Sequence, residues 1–114
     1  MKREPLAHRE IELIDGIFRH HPEITGVKLF GSRAKGTHSP SSDIDLAIFG
    51  NVSDHQAAEL AAELDELPLP YHFDVLPFDL IQNPPLREHI ERIGVTLYPR
   101  ANNKISPSSV VESP

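Results

Sequence analysis

A chain of 114 residues with a formal net charge of −6 and no cysteine has room for one domain built on one compact core. The charge argues against a broad nucleic-acid surface, which needs a basic patch to neutralise phosphates, and the missing thiols exclude disulfides and thiolate metal sites, in keeping with a cytoplasmic chain. No apolar run approaches the roughly 20 residues that span a bilayer, and Met1-Lys2-Arg3-Glu4-Pro5 leads into His8-Arg9-Glu10 instead of the apolar core of a signal peptide, so no membrane association is expected.

From His8 to His21, Ile11, Leu13 or Ile14, Ile17 and Phe18 recur at helical spacing, with Glu10, Glu12, Asp15 and Arg19 between them. The pattern predicts an amphipathic helix that stops before Pro22, since proline disfavours helical geometry in the residue before it. Ile24 to Phe30 reads as a strand with Val27 and Leu29 on one face, ending at Gly31. Ser32 to Gly36 is expected to turn into, or form, a short helix, and Thr37 to Ser42 is a polar loop containing Pro40.

Asp43 to Phe49 reads as a second strand, in which period two separates Ile44, Leu46 and Ile48 from Asp43, Asp45 and Ala47. After a turn at Gly50-Asn51, Ser53 is a candidate N-cap for a helix through about Leu67, with Ala57, Leu60, Ala61 and Leu64 as its buried stripe. Pro68 and Pro70 close it. Tyr71 to Phe78 alternates as a third strand, Phe73 and Val75 against His72, Asp74 and Leu76, and Pro77 marks its end or an edge position. Asp79 to Asn83 connects to a helix opened by Pro84-Pro85 and running to about Ile93. Gly94 ends that helix, and Val95 to Tyr98 forms a short last strand.

Beyond Pro99 the composition turns to Asn, Ser and Pro, so residues 1–99 are read as the domain and 100–114 as a disordered tail. The element order predicts an α/β (α+β) fold, a small mixed sheet with helices on one face and the acids on the other.

Two carboxylates two residues apart on one strand face repel each other unless a cation stands between them. A hard divalent ion answers that need, and magnesium typically uses one or two carboxylates together with substrate phosphates and water. Asp74 is the candidate third acid because Phe73-Asp74-Val75 repeats the phase of Ile44-Asp45-Leu46; Asp54 and Asp79 are the alternatives.

A glycine at a strand end lets backbone approach a ligand, and amides opening a helix present donors to an anion. Gly31 and Ser32 are therefore candidate phosphate contacts, with Arg33 and Lys35 able to add charge near a triphosphate. Metals beside such a turn would clamp the attacking and leaving oxygens of a nucleotidyl transfer. The seven histidines do not make a zinc site, because no His-x-x-x-His pair lies on one helix face and there is no cysteine. His20 and His21 are placed at a helix C-terminus, Tyr71 and Tyr98 in packing, and His72 on the face of Asp74.

Gly31-Ser32, ten intervening residues, then Asp43-Ile44-Asp45 resembles the signature of the minimal nucleotidyltransferase (MNT) family, within the DNA polymerase beta-like nucleotidyltransferase superfamily. The resemblance covers about Ile24 to Tyr98. It implies that Gly31 and Ser32 hold nucleotide phosphates, that Asp43 and Asp45 ligate two magnesium ions, and that Asp74 joins them and helps to activate an acceptor hydroxyl. Short members of this kind resemble antitoxins encoded beside a HEPN-domain ribonuclease toxin, some of which transfer AMP from ATP to a tyrosine of that toxin. The expected partners are therefore ATP and a HEPN-type protein, in a homo- or hetero-oligomer. Two other functions fit the same residues: a binding module that neutralises its partner by contact alone, and a small-molecule transferase of the aminoglycoside-modifying type that borrows a substrate domain from another chain.

Overall fold

The computed structural model describes residues 6–31 and 43–99. The expected turn at Ser32 to Gly36, the loop Thr37 to Ser42 and the tail beyond residue 99 lie outside these. Four strands form one sheet in the order β3-β2-β1-β4, where β1 is Ile24–Phe30, β2 Ile44–Gly50, β3 Phe73–Pro77 and β4 Val95–Tyr98. Strand β1 runs antiparallel to both β2 and β4, while β2 and β3 are parallel. A parallel pair needs a crossover, supplied by the helix Asp54–Asp65, here α2. The first helix, α1, spans His8–Phe18, and α3 spans Pro84–Ile93 after a 3₁₀ turn at Phe78–Leu80.

Local chemistry sets these boundaries. Helix α1 ends at Phe18, earlier than the periodicity suggests, because His20 and His21 belong to the turn that follows; the His20 ring donates through Nδ1 to the Gly16 carbonyl at 2.8 Å. Asp15, which the pattern sets among the polar positions, is instead buried. Ser53 caps α2 as expected, accepting from the Gln56 amide at 3.1 Å while the Gln56 side chain accepts from the Ser53 amide at 2.9 Å. Asn83 caps α3 in the same way, accepting from the Leu86 amide at 3.0 Å.

The main core lies on one face of the sheet. Val27, Leu29, Ile44, Leu46, Ile48 and Phe73 meet Ile14 and Phe18 of α1 and Ala57, Leu60 and Leu64 of α2. The expectation that helices keep to this face is met by α1 and α2 and not by α3. A second, smaller core on the opposite face joins Phe30, Ala47, Phe78 and Ile90, with Phe49, Ile81 and Leu86 against them. The reason is visible in the strands: Phe30, Ala47 and Phe49 share the phase of Asp45, so only one end of that face is acidic and the remainder needs an apolar cover. Among the described residues no helix is long and apolar enough to cross a membrane.

Candidate active site

The parallel register of β2 and β3 sets Asp45 opposite Asp74, and paired residues of neighbouring strands project to the same side. Asp43, just ahead of β2 and in phase with Asp45, is exposed at the strand entrance. The three carboxylates feel one another. Burial first, then the Asp74 and Asp43 charges and a hydrogen bond with Asp74, push the Asp45 carboxyl above its ordinary value of 3.8. Asp74 stands further into solvent, its side chain 56% exposed, with the His72 Nε2 atom 3.9 Å from its Oδ1. The competing acids are elsewhere: Asp54 is in the first turn of α2 and Asp79 in the 3₁₀ turn beyond the end of β3.

Gly31 ties the strand-ending turn to these acids. It follows Phe30, the register partner of Asp45, and adopts φ of +80°, a region that L side chains rarely occupy. A Cβ built there would meet Asp45 Oδ2 and lie 3.3 Å from its Cγ. Glycine is thus required twice over, by backbone conformation and by the carboxylate packed against it. Ser32, Arg33 and Lys35 lie outside the described residues.

Among the described residues no group of three or more His, Asp or Glu side chains stands as a ready-made ligand set. The donors present are the Asp45–Asp74 pair with Asp43 beside it. That set fits a hard divalent cation of the magnesium type, which takes one or two carboxylates and completes its shell with phosphate oxygens and water. Burial of the Asp45 charge, reinforced by the Asp74 and Asp43 charges, raises its pKa, and a bound cation relieves both.

One side chain near this end of the sheet escapes the sequence motif. His89 of α3 packs edge-on against Phe30, ring centroids 6.5 Å apart at 81°. Its only sequence signal is its place beside the Leu86–Ile90 stripe, which becomes informative once α3 is known to cover the acidic face.

The family model described as polymerase beta, nucleotidyltransferase matches residues 12–103. Among solved structures, a chain of a toxin–antitoxin complex with AMP-PNP superposes with a TM-score of 0.67 and 22% identity, over 86% of this chain and 77% of that one. A chain of the MntA-HepT toxin–antitoxin superposes at 0.64 with 19% identity, over 85% and 76%. A chain of the complex between a tri-AMPylated Shewanella oneidensis HEPN toxin and an MNT antitoxin does so at 0.63 with 19% identity, over 83% and 74%. No protein with a curated description matches the chain. At these identities the structural likeness is one of fold.

Proposed function

We propose, from the premise that the chain belongs to the polymerase beta nucleotidyltransferase family, that it transfers AMP from ATP to a hydroxyl of a protein partner, and that the partner is a HEPN-type ribonuclease toxin. The observation that carries the reading is the alignment of Asp45 with Asp74 on adjacent parallel strands, beside a glycine whose missing side chain makes room for the Asp45 carboxylate. The fold is shared with chains from toxin–antitoxin complexes, one solved with AMP-PNP and one holding an AMPylated HEPN toxin, which supports both the nucleotide and the acceptor.

Asp43 and Asp45, with Asp74, would hold the divalent ions, which when bound polarise the α-phosphate and offset the charge of departing pyrophosphate. Asp74, on the edge strand and exposed, takes the proton of the acceptor hydroxyl. The acceptor oxygen forms its bond to the α-phosphorus as the bond to the bridging oxygen of the β-phosphate breaks in line. The amides at Gly31 and Ser32, with Arg33 and Lys35, are assigned to the triphosphate.

The test is incubation of the purified chain with α-labelled ATP, magnesium and the protein encoded beside it. Label should move to the partner, and Asp43→Asn, Asp45→Asn or Asp74→Asn should each lower transfer by about 100-fold or more with the circular dichroism spectrum unchanged. A wild-type chain that binds ATP yet leaves its partner unlabelled would sink the protein-acceptor reading. Full neutralisation of the partner by the Asp43→Asn/Asp45→Asn double variant would transfer the function to contact alone.

A further inference from the structure

Helix α3 crosses the acid-bearing face with Ile90 buried against Phe30, Ala47 and Phe78. Its two arginines are committed. Arg87 donates through Nη1 to the carbonyls of Phe78 at 2.9 Å and Ile81 at 3.0 Å, its guanidinium 4.3 Å above the Phe78 ring. Arg92 lies 3.8 Å from Glu88, one turn back. His89 is placed differently. It is half-buried, held edge-on to Phe30, and among the described residues no hydrogen bond or ion pair engages its ring nitrogens.

Helical geometry puts Arg87 and His89 on opposite flanks of the Leu86–Ile90 stripe. Arg87 faces Phe78, which stacks on Phe49 at 4.4 Å, four residues along β2 from Asp45. His89 faces the other way, towards Phe30, the register partner of Asp45 and the neighbour of Gly31. The imidazole therefore flanks the acidic end of the sheet, at the end of β1 occupied by Phe30 and Gly31.

We propose that His89 is a nucleotide-binding residue, its imidazole donating a hydrogen bond to an anionic phosphate oxygen of the bound nucleotide. The inference rests on the nucleotidyltransferase reading and adds a contact that the motif does not contain. Its chemical logic is donor supply: the carboxylates and the divalent ions they would hold serve one side of the polyphosphate, and a ring N–H on the covering helix offers a hydrogen bond to its anionic oxygens. Because the ring is already packed on Phe30, little side-chain freedom is lost when the ligand arrives.

Three variants separate this role from simple packing. His89→Phe keeps an aromatic ring on Phe30 and removes both nitrogens, His89→Leu removes them without enlarging the side chain, and His89→Gln keeps a donor. ATP with magnesium, and inorganic tripolyphosphate as a second probe, are titrated into each folded chain by calorimetry. His89→Phe and His89→Leu should weaken both probes about tenfold, the size of one lost hydrogen bond to a charged group, while His89→Gln retains most of the affinity. In turnover, KM for ATP should rise with kcat held. Equal affinity in wild type and in either nitrogen-free variant overturns the assignment of His89 and leaves the nucleotide reading standing. A wild-type chain that binds neither probe overturns both.

Discussion

Asp45 sits between burial and two other carboxylates, which together raise its pKa. A raised acid means that the folded state binds more protons than the unfolded state just above pH 3.8, so stability falls as pH rises through that window and the loss persists at neutrality. Asp45→Asn removes the charge. In metal-free buffer at pH 7 it should melt higher than wild type, while transfer is lost and added magnesium no longer raises the melting temperature; a lower melting point would refute the repulsion argument. Gly31 carries the opposite risk. In Gly31→Ala the φ of +80° costs about 1–2 kcal/mol, and the new methyl presses on Asp45. Denaturant titration should show that loss, and transfer assayed well below the melting temperature should fall further than the unfolded fraction explains. Gly31, Asp43 and Asp45 were singled out in the sequence because the proposed chemistry needs those residue types at those spacings. Asp74 was legible because period two is a strong constraint on any strand, and only the register with β2 distinguishes it from the other acids.

Elements explain why the second face is covered. The 3₁₀ turn Phe78–Leu80 and α3 are locked together by Arg87, whose two carbonyl contacts and ring contact stack it with Phe78 and Phe49. Arg87→Ala should cost about 1–3 kcal/mol, read by chemical denaturation, and Arg87→Lys should recover little, since an ammonium lacks the planar fork that serves two acceptors and a ring face together. The strand and helix boundaries were largely readable from prolines, caps and alternation. The side of the sheet on which α3 packs was not. Leu86 and Ile90 mark a buried stripe, but a stripe names no partner, and the partner became visible only when Phe30, Ala47 and Phe49 assembled into a second apolar patch.

At the scale of the whole molecule, His21 joins segments distant in sequence: Nε2 lies 3.2 Å from Glu63 of α2, and Nδ1 lies 3.4 Å from Glu23, just ahead of β1. Burial disfavours the charged ring, but the hydrogen bonds and charges of Glu63 and Glu23 outweigh it and hold the His21 pKa above 6.5. The contribution to stability is therefore fully present below pH 6.5 and lost as pH rises through the folded-state value. Melts across pH 5.5–8.5 (about three units, spanning the histidine range) should show that decline, by no more than about 1 kcal/mol for so accessible a pair, and His21→Gln should flatten it. The same contrast runs through the protein. Element types, the strand-ending glycine and the phase of the acids were determined by sequence alone, because backbone sterics and side-chain periodicity act over a few residues. The pairing of Asp45 with Asp74, the placing of α3 on the acidic face, His89 beside Phe30 and His21 between two glutamates were decided only by tertiary structure, because register and layer choice depend on how distant apolar surfaces share a core.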